Sequence, residues 1–203
     1  MANQTNGRAI QPRTLMLVQL GVLTAIVVIL QLLAIAMRPL FPAFTISLVL
    51  VPITVGAALI GAKAGAWLGL AFGVAVLISG DANAFFVINA PATVLVVLLK
   101  GLLAGFTAGL VYKLFAKKNK TIAAAAAGII CPIVNTGIFI IGSYLFFLPT
   151  IREWAEFFEF ASGTAYIFFG MVGINFLVEL GINLVLIPII VRLIQIGQDR
   201  RVS

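Results

Sequence analysis

Long apolar blocks run through this chain, broken only by short clusters of polar, glycine and proline residues. A helix that crosses a bilayer needs about 17–25 predominantly apolar residues. On that measure the pattern predicts an all-α integral membrane protein with six transmembrane helices. They cover Thr14–Met37, Thr45–Ile60, Ala64–Ser79, Pro91–Phe115, Thr121–Phe147 and Thr164–Leu193. The second and third are short and the last two are long. Short spans leave space at one membrane face and long ones tilt. Unequal helices of this kind fit a bundle with a cavity better than a symmetric pore. The organisation expected is a tail over residues 1–13, one membrane domain over 14–193 and a second tail over 194–203. Arg8, Arg13 and Ala34-Ile35-Ala36 imitate a signal peptide. The apolar run between them is longer than the 7–15 residues of a signal core, so a retained helix is expected.

Composition agrees with the pattern. Hydrophobic residues make up 63% of the chain and charged residues 9%, with a mean hydropathy of +1.21. Soluble domains carry about 25% charged residues. The net charge of +7 could point to nucleic acid. Its placement points to topology instead, because Lys and Arg concentrate in cytoplasmic loops. With the N-terminus inside, Arg8, Arg13, Lys63, Lys113, Lys117, Lys118, Lys120, Arg192, Arg200 and Arg201 fall on the cytoplasmic side. Arg38, Arg152, Asp81, Glu153, Glu156 and Glu159 fall outside. Both termini are then cytoplasmic, and no nucleic acid is needed to explain the charge. The single cysteine, Cys131, lies in an apolar segment and reads as a structural thiol.

Lys100 stands out against this background. It is the only residue charged at neutral pH between Asp81 and Lys113. A charge at the centre of a span costs about 2.5–3.5 kcal/mol on insertion scales, so it calls for a partner, an aqueous cavity or a ligand. At ~1.5 Å per residue it lies roughly 13 Å from the outer end of its helix. Asn135 and Thr136 in the fifth helix and Asn175, Glu179 and Asn183 in the sixth are the other intramembrane polar residues. The last three are four apart and share one helix stripe. Two readings stay open for Lys100. It pairs internally with Glu179, or it faces an outward cavity with Asn135, where the two bind a ligand's carboxylate and its amide or hydroxyl groups.

Other candidates come from the flanks. Residues 81–91 form a mixed polar and aromatic outer loop, and Asn83 and Asn89 in it are further candidates for ligand contact. Residues 149–160 form an acidic, aromatic loop whose rings either anchor in the interface or close over a ligand. Trp67 either stacks on a ligand or packs in the core. Gly61, Gly65, Gly69 and Gly73, like Gly101, Gly105 and Gly109, recur every four residues and present a face for close helix packing. Gly21 and Ala25 have the same small-xxx-small spacing on the first helix.

The chemistry missing from the sequence narrows the class. There is no His, which removes the usual general base and metal ligand. No G-x-x-x-x-G-K-[ST] loop, zinc spacing or pair of carboxylates suited to acid–base work occurs. An enzyme is not expected, and neither is a metal or cofactor bound by this chain. The duplicated halves of many secondary transporters are also missing.

The stretch from Phe44 to Gly73, FTISLVLVPITVGAALIGAKAGAWLGLAFG, resembles the second and third helices of the substrate-binding S components of energy-coupling factor (ECF) transporters. The segment Leu99–Gly105, the basic loop after it, the length and the six spans resemble them too. The resemblance implies a bacterial plasma-membrane subunit of an ABC-type importer that binds a vitamin at its outer face with high affinity. It implies as partners a transmembrane coupling protein and two cytoplasmic ATPases, which use the ATP. The family's AxxxA contact motif falls on Gly21 and Ala25, with Gly in place of the first Ala. Within the family the chain is most similar to the pantothenate-specific subunits. Pantothenate is a small anion with an amide and hydroxyls, which agrees with Lys100 and Asn135. Biotin and folate are anionic as well, and cobalamin stays open. A non-transporting membrane scaffold is the alternative of a different class.

Overall fold

The computed structural model of the chain describes residues 12–37 and 48–199. It is helical throughout: α1 (Pro12–Ala36), α2 (Leu50–Leu59), α3 (Ala62–Ile78), the short α4 (Asn83–Phe86), α5 (Ala90–Ala116), α6 (Lys120–Gly142), α7 (Leu148–Phe157), the single turn α8 (Gly163–Ala165) and α9 (Gly173–Asp199). Two π-helical segments interrupt this series. Ser143–Phe147 joins α6 to α7, and Tyr166–Val172 joins α8 to α9.

Four of these units are long and apolar enough to cross a membrane: Arg13–Ala36, Ala90–Ala116, Lys120–Phe157 and Gly163–Ile187. The helices α2 and α3 are apolar but shorter. Arg8, Arg38, Arg200, Arg201 and the expected start of the second span lie outside the described residues. Three boundaries differ from the sequence reading. The fifth helix does not stop at Phe147 but continues to Phe157, so most of the expected acidic loop is helix. The reason lies in Ile151 and Ala155, which are four apart and fully buried while Arg152, Glu153 and Glu156 face outward. This 38-residue unit is about 57 Å long, well beyond a hydrocarbon core of about 30 Å, so its polar end reaches the membrane boundary. The helix α9 runs on to Asp199, through residues expected to be tail. The helix α3 begins two residues early, at Ala62.

Local signals set the helix starts. Asn89 precedes α5, its side-chain oxygen accepting from the Ala92 N–H at 3.1 Å, with Pro91 in the first turn. Asn119 does the same for α6, accepting from Thr121 and Ile122. Such caps satisfy donors the helix cannot. Gly61 is not a rung of the glycine ladder as its spacing implied. It precedes α3 with φ +125° and nothing within 4 Å of where a Cβ would stand. Glycine is there for the turn, because other residues rarely adopt that φ.

The remaining glycines do hold two helices together. A Cβ on Gly65 would meet the Gly105 carbonyl, and one on Gly105 would meet the Gly65 carbonyl. Gly69 and Gly101 are matched in the same reciprocal way, and Gly73 faces the Val97 carbonyl. Four steps along α3 match four steps back along α5, so the two run antiparallel with their backbones in contact. Approach this close permits Cα–H···O=C contacts, worth about 0.5–1 kcal/mol each. Beside them sits α2, buried from Pro52 to Ala58. It packs against α1, α3, α5, α6 and α9, as a helix apolar all round must. The main core gathers Leu50, Ile53, Leu68, Val97, Cys131 and Ile190. A smaller one near α7 holds Ala92, Phe147, Ile151, Ile167 and Val172.

Candidate ligand cavity

The close α3–α5 contact fixes where Lys100 stands. Gly101 is pressed to α3, so the neighbouring Lys100 emerges beside that contact and not within it. Its Nζ lies 5.7 Å from the ring centre of Phe72 on α3 and 5.5 Å from that of Phe139 on α6. A cation within about 6 Å of a ring face is attracted by it. The ammonium group is therefore held between two rings at the wall of a cavity of about 270 Å³.

Six helices, the short α4 among them, and both π-helical segments contribute to that cavity. Asp81 and Phe85 come from the α3–α5 connection, Thr93 from α5, Asn135 and Thr136 from α6, and Asn175 and Glu179 from α9. Phe147, Met171 and Val172 come from the π-helical segments. A π turn carries one residue more than an α turn and re-aims the side chains around it, and such turns are frequent at functional sites. Gln31, in the last third of α1, donates from Nε2 to Asp81 Oδ2 at 3.0 Å and also lines the cavity. One side is aromatic. Phe85 meets Phe139, Phe147 and Trp154 edge-on, at centroid distances of 5.7, 4.9 and 5.6 Å.

The polar groups differ in how they are satisfied. Asn135 is 7% exposed, and its Oδ1 has no hydrogen-bond partner. A buried acceptor left unpaired costs about 1–3 kcal/mol, so this oxygen is poised to receive a donor. Asn175 donates to the Met171 carbonyl at 3.4 Å. Asn183, one turn beyond Glu179, is 1% exposed and donates to the Glu179 carbonyl at 2.8 Å. Of the α9 stripe, then, Asn175 and Glu179 line the cavity and Asn183 does not. Asp81 and Glu179 both attract Lys100 electrostatically. Lys100 and Glu179 nevertheless do not close to an ion pair, N···O within 4.0 Å, among the described residues.

The candidate residues thus separate into two groups. Lys100 and Asn135 share the cavity. Trp67, Asn83 and Asn89 do not line it. Trp67 is 52% exposed and donates from Nε1 to Thr24 Oγ1 on α1 at 3.2 Å. Asn83 opens α4 on the exposed side, and Asn89 is spent as a helix cap. The sequence reading missed Gln31, Phe72 and Phe139. A Gln deep in the apolar run of the first helix was the available sign of the first. The two rings carried no sign, since Phe occurs throughout the chain. Gly21 and Ala25 are exposed on α1, and space around Gly21 is open.

Apolar spans gathered around a small, polar-studded cavity mark a multi-pass membrane protein. Residues 15–191 match the family model for the ECF transporter substrate-specific component, so the chain belongs to that family. Its members are bacterial transport subunits that work with a substrate and with an energy-coupling module of a transmembrane protein and ATPases. No curated protein and no solved structure matches the chain.

Proposed function

We propose that this chain captures a small anionic vitamin from outside the cell and delivers it inward with the ATP-driven module, with pantothenate as the first candidate. The observation that carries the reading is the pairing of Lys100, held between two rings, with the unpartnered Asn135 oxygen in one cavity. The first offers a cation to a carboxylate and the second an acceptor to an amide N–H or a hydroxyl. Pantothenate presents all three groups. Biotin and folate share the carboxylate and compete on this ground. A volume of about 270 Å³ falls just under the about 300–1,000 Å³ of pockets that hold drug-sized ligands, which favours a small vitamin over cobalamin.

The charge distribution supports six spans with both termini cytoplasmic. Lys63, Lys113, Lys117, Lys118 and Lys120 lie at the α2–α3 and α5–α6 junctions, while Asp81 lies in the α3–α5 connection and Glu153, Glu156 and Glu159 lie in and just after α7. The cavity then opens outward. On α1, the exposed Gly21 and Ala25 supply the face for the coupling protein, and Trp67 stands beside that face through its bond to Thr24.

A second reading follows from Glu179. It shares the cavity and attracts Lys100, which would suit an internal pair in a membrane scaffold. Titrating the purified protein with a panel of vitamins separates the two. Tryptophan fluorescence is the signal, because Trp154 packs on the cavity residue Phe85. A saturable change with one carboxylate vitamin is expected, and silence across the panel would refute the transport reading. Gly21→Leu should leave that titration intact and abolish uptake and co-purification with the coupling protein. Uptake that survives would remove α1 from the interface.

A further inference from the structure

A second recess lies at the other end of α5 from Asn89, and the vitamin reading gives it no role. Its volume is about 380 Å³. The floor is made of small and aliphatic residues at the α2–α3 junction, among them Ala58, Leu59, Ile60 and Ala62, with Gly109 from α5. Its polar edge is Lys113 and Lys117, one turn apart in and just past the last turn of α5, both exposed. Glycine at 109 lets α5 close onto the start of α3 at the base of the recess, since a Cβ there would run into Ala62.

The surface beside it has a definite order. Leu110, Lys113, Leu114 and Lys117 fall at i, i+3, i+4 and i+7, which puts them on one stripe of the helix. The two leucines are 41% and 72% exposed, so this stripe presents apolar side chains outward. An exposed apolar strip that ends in lysines at a helix terminus has the profile of a chain meeting the boundary between acyl tails and headgroups. Further lysines, Lys63, Lys118 and Lys120, flank the recess in the sequence, and no acidic residue lies in the α2–α3 junction or the α5–α6 turn.

We infer that this recess binds the phosphate headgroup of an anionic glycerophospholipid. Lys113 and Lys117 hold the phosphate, and an acyl chain lies along Leu110 and Leu114. Clustered lysines beside a transmembrane helix attract anionic lipid, each contributing about 1 kcal/mol near the surface. The apolar floor and the leucine stripe add what a soluble phosphate would not use.

Native mass spectrometry of the full chain, released from detergent with phosphatidylglycerol or phosphatidylcholine of matched tails, tests this. Phosphatidylglycerol should be retained about thirtyfold over phosphatidylcholine, on the order of what two lysines contribute. Lys113→Gln with Lys117→Gln should abolish that preference, and Lys118→Gln with Lys120→Gln, in the turn outside the recess, should preserve it. Equal retention of the two lipids by the unaltered protein would overturn the proposal, as would an equal loss in both double variants. Displacement of phosphatidylglycerol by glycerol 3-phosphate at the same concentration would also overturn it, and would assign the recess to soluble phosphate.

Discussion

The cavity has two unlike walls. On the α3–α5 side, backbones touch through Gly65, Gly69, Gly101 and Gly105, and there is no room for even one extra carbon. On the α6–α9 side, Gly142 meets only a Val96 side chain, and Gly137 and Gly181, outside the cavity lining, have nothing within 4 Å of a Cβ position. That side also carries Pro132, both π-helical segments and the unpartnered Asn135 oxygen. The tight wall places a charge, and the loose wall offers it company. Rigidity and adaptability are thus assigned to different helix pairs in one small bundle, and Lys100 stands where they meet.

The largest effect should come from filling the tight wall. Gly69→Ala sets a methyl against the Gly101 carbonyl, and overpacking of this kind costs about 1–3 kcal/mol or more. Here the obstacle is backbone, so the upper end is expected, seen as a steep loss of melting temperature or of folded protein in detergent. Gly137→Ala on the loose wall should be neutral or gain up to about 1 kcal/mol of helix propensity. Equal sensitivity at the two positions would erase the contrast.

A smaller effect should separate binding from stability on the loose wall. Asn135→Leu removes a buried amide oxygen that has no partner in the unliganded protein. Ligand affinity should fall by about 1 kcal/mol, the worth of one hydrogen bond, while the unliganded melting temperature does not drop. A variant that melts early yet binds normally would make Asn135 structural. The mildest change should be Asn89→Ala, which removes the α5 cap. It should cost about 1 kcal/mol of stability and leave affinity unchanged. A clear loss of affinity would return Asn89 to the binding site.

Much of this was legible in the sequence, and the exceptions have physical causes. Charge and unpaired polarity in an apolar span are so costly that Lys100 and Asn135 stood out in the sequence. Four-residue glycine spacing on α3 and α5 announced a close contact, although spacing could not tell the rungs from Gly61, whose place is set by its backbone angle. The helix α7 read as loop because acidic and aromatic residues dominate it, and the Ile151–Ala155 pair that buries it is only one turn long. Trp67 read as a ligand contact because its residue type suits stacking, but its direction depends on the α1–α3 packing that brings Thr24 to it. The register shifts of the π-helical segments leave no pattern in composition. Phe147, Met171 and Val172 therefore reached the cavity unannounced.

The central claim is that the negative partner of Lys100 belongs to the ligand and not to Glu179. The most direct test is Lys100→Ala, measured twice: ligand affinity by titration and melting temperature without ligand. Affinity for a carboxylate vitamin should fall at least about tenfold, ~1.4 kcal/mol, with the unliganded melting temperature nearly unchanged. Unaltered affinity together with a lower melting temperature would contradict the claim and make Lys100 one half of an internal ion pair.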